Sequence, residues 1–352
     1  MSEVPWRQVE KPRFAIVGAG SLGLVFAAAL ARAGHSVALL ARPGSATALQ
    51  NAGHIEVSGQ LTLTVPVASS PGRTGTITVV GRAAGLPPVD IALFATKGQD
   101  LPGSITEVAG LCPRDHLEGA FFAGVQNGVV KDELLVEAFG TARVVGAATV
   151  LGAERVAAGA VTVSGLGPTY FGEFDAATSP RAERAAAAFV SAGFPCLVVP
   201  DIRAVVWTKF CNAIGIFGVS ALTGVPSREI FARRSLALAY WSLLEEAAAV
   251  AASEGAKVDN FEGLPIRSFL ELAPEEAAAE MARRVGPRDD GPPGFSSMAQ
   301  DLAAGRKTEI DETFGDLLRR ARTHGLEVPR AQLVFRLVTG LELGPAGTGS
   351  RP

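Results

Sequence analysis

Hydrophobic patterning changes along the chain near residue 200. Before that point, short apolar runs alternate with longer stretches of helical composition. The runs are Phe14–Val17, Val37–Leu40, Ile91–Ala95, Ala120–Val125 and Val144–Val150. Apolar runs of this length, bounded by glycine and proline, are typical of parallel strands buried on both faces. Because Leu22–Ala33 and Ser45–Ala52 between them have helical composition, the alternation predicts a doubly wound, Rossmann-like sheet.

Two segments of this first part follow a different rhythm. His54–Val67 and Ala147–Phe174 alternate polar and apolar residues and contain glycine-marked turns. That pattern predicts antiparallel strands that extend the edge of the sheet. Arg181–Ala192 then has helical composition, and Cys196–Val199 is predicted to be a last strand.

After Pro200 the apolar positions recur at helical spacing. The predicted helices are Ile202–Leu222, Ser235–Glu254, Pro274–Arg284, Ser297–Leu302, Thr308–His324 and Arg330–Leu341. Arg288–Gly294 is predicted to be a flexible loop, and Gly344–Pro352 a frayed tail. The expected fold is therefore α/β, with a Rossmann-like sheet domain over 12–200 followed by an all-helical domain over 201–343.

Composition narrows the class of protein. The chain has 352 residues and a net charge of −3, so it lacks the basic field that nucleic acids or anionic membranes attract. Its longest apolar runs, such as Leu24–Leu30 and Ala247–Ala252, are shorter than a bilayer requires, and Met1–Lys11 is not expected to be a signal peptide because it lacks an apolar core. Three distant cysteines argue against a disulfide framework, and four scattered histidines have no metal-ligand spacing. We expect a cytoplasmic, metal-free protein with no nucleic-acid or membrane partner.

A glycine-rich turn follows the first predicted strand. It consists of Gly18, Ala19, Gly20, Ser21, Leu22 and Gly23. In a strand–turn–helix context this G-x-G-x-x-G pattern is typical of dinucleotide binding. Gly18 allows the tight turn, Gly20 lets the backbone approach a pyrophosphate, and Gly23 lets the helix pack on the sheet. The alternative is a turn that serves the fold alone.

The end of the second strand indicates which dinucleotide is bound. NAD-binding units usually carry an acidic residue there for the ribose hydroxyls, whereas this chain has Ala41 and Arg42. A guanidinium suits a 2′-phosphate, so NADP(H) is the predicted cofactor. The alternative for Arg42 is a solvated surface arginine.

Polar residues also follow two further strands. Lys97 follows the run that ends at Thr96, and Gln126 and Asn127 follow Ala120–Val125. Ligands of open α/β sheets collect outside the carboxyl ends of the strands, so these residues are cofactor-site candidates. A solvated lysine and a bare Asn-Gly turn are the alternatives.

Two signals stand out in the helical part. Lys209 lies in an apolar helix beside Trp207 and Phe210, where its charge loses solvation unless it faces a cleft or an anion. A lysine that reaches the domain surface is the alternative. Further on, Thr308 is predicted to cap a helix and Glu309 to lie in its first turn.

Together these motifs resemble the 2-dehydropantoate 2-reductases, also called ketopantoate reductases. The shared motifs, in order, are GAGSLG, TK at Lys97, QNG at 126–128, WTK at Lys209 and SSMAQDL…GRKTEID. The resemblance spans about residues 13 to 340. It implies a Rossmann domain and a helical domain with the active site between them, and NADPH-dependent reduction of 2-dehydropantoate to (R)-pantoate on the route to coenzyme A.

The resemblance also implies individual roles. Lys209 matches the catalytic lysine, and Glu309 matches a glutamate that helps to place that lysine and the nicotinamide ribose. Lys97 and Asn127 match positions near cofactor and substrate, and Ser297 matches the serine that holds the substrate carboxylate. No metal is implied.

The chain departs from the family pattern near the lysine. Family members often carry asparagines four and eight residues after it, where this chain has Ala213 and Phe217, with Asn212 at the third position. The loop 286–294 is a further departure. The open alternatives are a reductase of the same architecture that acts on another 2-oxo acid, and a catalytically dead NADP-binding regulator. The sequence leaves open whether the protein forms a homodimer.

Overall fold

The computed structural model describes residues 11–68, 73–175, 179–285 and 294–342. The chain divides into two compact units. The first comprises Met1–Gln126 and Val130–Ile202, and the second comprises Asn127–Val129 and Arg203–Pro352. Apart from Gly294, the predicted flexible loop lies outside the described residues, and so does the predicted frayed tail.

The first unit alternates strands and helices. Its strands are β1 Phe14–Val17, β2 Val37–Leu40, β3 His54–Gly59, β4 Leu63–Ala68, β5 Ile77–Val80, β6 Ile91–Phe94, β7 Phe121–Gly124, β8 Gly146–Thr149, β9 Gly152–Ala157, β10 Ala160–Gly165, β11 Thr169–Gly172 and β12 Cys196–Val198. Its helices are α1 Ser21–Arg32, α2 Pro43–Ala52, α3 Leu101–Leu111, α4 Val130–Phe139 and α5 Pro180–Ser191. Of these elements, β5, α3 and α4 were not predicted from the sequence.

A nine-stranded sheet, in the order β7-β6-β1-β2-β5-β4-β3-β10-β9, forms the centre of this unit. The five strands from β7 to β5 are all parallel. Chain order runs outward from β1 through β2 to β5 on one side, and through β6 to β7 on the other. The topological switch point therefore lies between β1 and β6, and the Rossmann-like prediction is confirmed.

The strand residues are apolar throughout because both faces of the sheet are covered. Along β1, Phe14 and Ile16 belong to one hydrophobic core, which includes residues of α1 and α5. Ala15 and Val17 belong to the other core, with residues of α3 and α4. Alternate side chains of a strand point to opposite faces, so a strand between two helical layers has no polar position.

The predicted antiparallel edge is confirmed for the hairpins β3–β4 and β9–β10. The prediction that Val144–Val150 forms a parallel strand of the main sheet is wrong. Its residues form β8, which pairs antiparallel with β11 in a separate three-stranded sheet with β12, and only Val144 bridges Phe122 of β7. The β9–β10 hairpin returns the chain beside β8, and antiparallel neighbours need no long crossover.

The second unit is helical except for one small hairpin. Its helices are α6 Ile202–Thr223, which starts at the junction of the units, α7 Ser227–Ala232, α8 Arg234–Ser253, α9 Ile266–Leu270, α10 Pro274–Val285, α11 Ser297–Ala303, α12 Asp316–Thr323 and α13 Pro329–Glu342. A π-helical turn, Asp311–Gly315, precedes α12. The two-residue strands β13 Asn260–Phe261 and β14 Leu264–Pro265 form the hairpin, which the all-helical prediction did not include.

Helix α6 is the core helix of the second unit. Within the described part of the chain it alone is long and apolar enough to cross a membrane. Most of its apolar length, however, is buried inside the protein. A Cβ atom added at Gly215 would lie 2.5 Å from the ring of Tyr240, and one at Gly218 would lie 2.5 Å from Leu243. The two glycines therefore allow α8 to pack closely on α6.

A buried carboxylate on α8 holds the start of α13. Glu246 accepts hydrogen bonds from the backbone N–H groups of Arg330 (3.0 Å) and Ala331 (2.8 Å). Pro329 is the first residue of α13, a position where the missing N–H of proline leaves no hydrogen bond unmade. An anion at this position satisfies unpaired N–H groups and interacts favourably with the helix dipole.

We expect Glu246→Ala to lower the free energy of unfolding by about 2 kcal/mol, because it leaves two N–H groups of α13 without their charged acceptor. Glu245→Ala is the matched control. Its carboxylate pairs with Arg330 while both side chains are about half exposed, so its loss should cost less than about 1 kcal/mol. Urea denaturation measures both, and equal losses in the two variants would contradict this role for Glu246.

Candidate functional site

Two glycines of the G-x-G-x-x-G turn are required by the fold itself. Gly18 has a φ of +112°, and a Cβ there would lie 2.8 Å from the backbone nitrogen of Thr96. A Cβ on Gly23 would lie only 1.9 Å from the carbonyl oxygen of Gly18. Helix α1 can therefore begin directly after β1 only if neither position carries a side chain.

The middle glycine has no such structural reason. A Cβ on Gly20 would meet nothing closer than the Ala95 carbonyl oxygen at 3.6 Å, and the φ of Gly20 is −79°. Gly20 precedes α1, whose first turn has no side-chain cap and no acidic residue. Unpaired N–H groups at such a helix start attract anions. The absence of a side chain at Gly20 therefore leaves open space on the outer side of the loop.

The other residues of the turn are half-buried. Ala19, Ser21 and Leu22 all keep part of their surface exposed. The carbonyl oxygen of Ala19 accepts a hydrogen bond of 3.4 Å from Arg155 of β9. The turn is thus held from one side by the edge hairpin of the same unit.

Two buried amide oxygens lie where β6 and β7 end. Gln126 donates through Nε2 to Thr96 Oγ1 (3.3 Å), whereas its Oε1 has no hydrogen-bond partner among the described residues. The same holds for Oε1 of Gln99, in the turn after β6. A buried acceptor without a hydrogen-bond donor lowers the stability of the fold, unless a bound ligand supplies the donor. A nicotinamide dinucleotide carries amide and hydroxyl donors, so these groups and the open space at Gly20 fit the predicted cofactor.

The predicted cofactor residues of the first unit share one edge of the sheet. Arg42 is exposed and precedes α2 directly after β2, and Lys97 is half-buried and precedes a short 3₁₀ turn after β6. The turn at Gly18 follows β1, and Gln126 follows β7. Gln99 was not predicted as a site residue, although it lies only two residues after Lys97 in the sequence.

In the second unit the structure brings Lys209 and Asn127 together. The Lys209 ammonium donates a hydrogen bond of 3.0 Å to Asn127 Oδ1. The Asn127-Gly128 pair is therefore more than a bare turn. Gly128 has a φ of +95°, and a Cβ there would lie 2.9 Å from the carbonyl oxygen of Glu312. Gly128 therefore lets the segment Asn127–Val129 approach the π-helical turn more closely than a residue with a side chain could.

The polar residues of the SSMAQD segment, residues 296–301, have different roles in the structure. Ser296 caps α11 by accepting from the N–H of Ala299 (3.2 Å) and bonds the Ser220 hydroxyl of α6. Asp301 is buried and pairs with Arg306 at 3.0 Å, which closes the turn after α11. Ser297, the predicted substrate residue, is the half-buried first residue of α11. Ser296 and Asp301 thus have structural roles.

The predicted helix start at Thr308 takes a different form. Thr308 Oγ1 accepts from the N–H of Ile310 (3.2 Å), and the Thr308 N–H donates to Glu342 (2.6 Å) at the end of α13. Glu309 is buried, and its carbonyl accepts from the backbone and the hydroxyl of Thr313. Instead of a regular α-helix from Thr308, a π-helical turn leads into α12, which is a correction to the prediction.

Glu312 is a carboxyl group that the sequence analysis did not single out. Its Oε2 is buried and has no hydrogen-bond partner among the described residues. Burial raises the pKa of Glu312, and the negative charges of Asp311 and Glu309 raise it further. This carboxyl group is therefore easier to protonate than an exposed glutamate.

Asn212 does not replace the amides that are absent at 213 and 217. Its Oδ1 accepts a hydrogen bond of 2.9 Å from the hydroxyl of Tyr240, a buried residue of α8. Ala213 and Phe217 are both buried, and neither can form a side-chain hydrogen bond. The Asn212 oxygen thus joins α6 to α8, and positions 213 and 217 offer no side chain that can form a hydrogen bond.

Comparison with protein families gives two matches. Residues 14–176 match the family described as "Ketopantoate reductase PanE/ApbA", and residues 201–342 match "Ketopantoate reductase PanE/ApbA C terminal". The two matches follow each other along the chain and cover most of both units.

Individual relatives agree over nearly the whole length. The 2-dehydropantoate 2-reductase of Halobacterium salinarum is 28% identical over 330 residues, covering 93% of this chain and 97% of that protein. That of Mycobacterium tuberculosis is 29% identical over 337 residues, covering 94% and 98%. The crystal structure of 2-dehydropantoate 2-reductase from Geobacter metallireducens has a TM-score of 0.75 and 26% identity, covering 93% of this chain and 99% of that one.

The two glycine positions give a matched test of the cofactor site. We expect Gly20→Ala to leave the melting temperature close to that of the parent and to raise the Kd for NADPH at least tenfold, because the added methyl group meets only the ligand. Gly23→Ala should instead destabilise the fold by at least about 3 kcal/mol, because its methyl group overlaps the backbone. Thermal unfolding and fluorescence titration measure the two effects. Unchanged NADPH affinity in a folded Gly20→Ala variant would contradict the assignment of Gly20.

Proposed function

Since the chain belongs to the ketopantoate reductase family, we propose that it reduces 2-dehydropantoate to (R)-pantoate with NADPH, a step towards coenzyme A. The observation that carries this proposal is the hydrogen bond between Lys209 and Asn127. It holds an ammonium group at a fixed position within the helical unit, as reduction of a carbonyl requires.

NADPH would be held by residues of the first unit and, when bound, supplies the hydride for the reaction. The turn at Gly20 and the start of α1 would bind the pyrophosphate. Arg42 would pair with the 2′-phosphate, which supports NADPH rather than NADH. The unpaired amide oxygens of Gln99 and Gln126 would accept from hydroxyl or amide groups of the cofactor. Lys97 lies at the same edge of the sheet.

Lys209 would act on the substrate carbonyl. As hydride reaches the carbonyl carbon, the oxygen becomes an alkoxide that must meet positive charge and receive a proton. An ammonium group can both stabilise the negative charge on the oxygen and donate the proton. Asn127 accepts one N–H of Lys209, which fixes the direction of the remaining two. Glu309 would act as a positioning residue for Lys209, and Ser297 would bind the substrate carboxylate.

A second candidate function is the reduction of another 2-oxo acid by the same machinery. The observation that favours it is the apolar pair Ala213 and Phe217 on the helix of Lys209, together with the diversion of Asn212 to Tyr240. A dead NADP-binding regulator is not favoured, because a site without chemistry has no use for a lysine held in this way by Asn127.

The lysine is tested by substitution. We expect Lys209→Ala to lower kcat by about 10²–10⁴-fold and to leave the Kd for NADPH nearly unchanged, because the lysine acts on charge that develops in the transition state. Lys257→Ala is the matched control, since that lysine is 63% exposed and pairs with Asp259 on the surface of the same unit. NADPH absorbance with ketopantoate measures the rates. A Lys209→Ala enzyme within a few-fold of the parent would rule out the mechanism.

Substrate choice follows from the lost amides. A site that hydrogen-bonds a hydroxyl discriminates strongly for it, whereas an apolar pocket discriminates by only about 1–3 kcal/mol per group. We therefore expect kcat/KM to favour ketopantoate over 2-oxoisovalerate, which lacks the hydroxyl, by less than about a thousandfold. A larger ratio would show that another residue binds the hydroxyl, and Glu312 would be the first to substitute.

A further inference from the structure

A second arginine lies beside Arg42 at the carboxyl edge of the sheet. Strands β2 and β5 are parallel neighbours in which Leu40 pairs with Val80. Arg42 follows Leu40 by two residues, and Arg82 follows Val80 by two residues. The ladder continues past the strands, since the Ala41 N–H donates to the Val80 carbonyl at 3.0 Å. The two arginines therefore follow the ends of two neighbouring strands, whose backbones lie about 5 Å apart where they pair.

The chain segments stay together at these positions. A Cβ on Gly81 would lie 3.5 Å from the Cα of Pro43, so the residue before Arg82 packs against the residue after Arg42. Arg82 has an extended backbone, with φ −147° and ψ +146°. The turn that follows is fixed by a 3.0 Å hydrogen bond from the Ala83 N–H to the Glu107 carboxylate. Both arginine side chains are exposed, and the backbone at each of them has a defined conformation.

Two guanidinium groups that reach the same anion repel each other until that anion is bound between them. An anion with two charges between them removes that repulsion and accepts hydrogen bonds from both planar forks. A phosphate monoester carries nearly two negative charges at neutral pH and three acceptor oxygens. The 2′-phosphate of NADPH has this chemistry, and the ribose that carries it is bound at the end of the second strand in Rossmann folds.

We propose that Arg82 forms, together with Arg42, the site for the 2′-phosphate, and that this pair determines the preference for NADPH over NADH. The assignment rests on the proposed use of NADPH. It extends that proposal, because it makes cofactor choice depend on a residue that follows β5 as well as on one that follows β2.

Cofactor titrations by fluorescence test the pair. The Kd for NADPH and for NADH is measured for the parent, Arg42→Ala, Arg82→Ala, the double variant and Arg114→Ala. Arg114 is a matched control, because it is exposed and precedes β7, which places it at the amino edge of the same sheet. Thermal unfolding of each variant shows that it is folded.

We expect Arg82→Ala to raise the Kd for NADPH about tenfold, equivalent to about 1.4 kcal/mol, and to change the Kd for NADH less than twofold. NADH lacks the phosphate, so it reports any effect on the rest of the site. The double variant should bind the two cofactors with nearly equal affinity, and Arg114→Ala should match the parent.

Three results would overturn the assignment of Arg82, and they separate it from the proposed function. If Arg42→Ala weakens NADPH binding and Arg82→Ala does not, Arg82 has no part in the site although the NADPH preference stands. If Arg82→Ala weakens both cofactors equally, it does not recognise the phosphate. If the parent binds NADPH and NADH equally, the proposed cofactor preference fails before any variant is considered.

Discussion

The contact between Gly18 and Gly23 is the constraint on which the first unit depends. The carbonyl oxygen of Gly18 occupies the position that a side chain on Gly23 would need, so α1 starts immediately after β1. This brings the start of α1 to the switch point between β1 and β6. A larger residue at either glycine would push the helix away and separate its unpaired N–H groups from the polar residues that follow β6 and β7.

Burial on both faces then decides where polar groups can lie. Strands β1, β2, β6 and β7 are buried at every position, so functional side chains can leave the sheet only where the strands end. Gln99 and Gln126 show the cost of that arrangement. Each has a buried oxygen that no donor among the described residues reaches, and such a group typically costs about 1–3 kcal/mol of stability. A ligand that supplied the donors would recover this free energy as binding affinity.

Much of this arrangement can be predicted from the sequence, because it depends on local constraints. The bounds of β1 and β2 follow from their apolar runs, and the different tasks of Gly18, Gly20 and Gly23 follow from their spacing. Hydrogen bonds and strand pairings between residues that are distant in the sequence are harder to predict. The direction of Asn212 is set by Tyr240 on another helix, and the partner of β8 is set by a hairpin that comes later in the chain.

The missed strand β5 had a further consequence for the site. Its four residues, Ile77–Val80, are β-branched and stand between Gly75 and Gly81, which is a strand signal of its own. The longer alternating segment before it, His54–Val67, carries the stronger strand pattern. Without β5, Arg82 cannot be placed on the chain segment that neighbours Arg42, so one short element conceals one residue of the proposed 2′-phosphate site.

The last helix links the end of the chain to Glu309. Its first turn is held by Glu246, and its last residue, Glu342, binds the N–H of Thr308, the residue just before Glu309. Ribosomes release the chain from the amino end, and domains generally fold in that order. The Rossmann-like unit can therefore assemble while the rest is still being made, whereas the segment around Glu309 gains its final hydrogen bond only after α13 has emerged. A nascent chain would thus fold the proposed cofactor site before the segment around Glu309 is complete.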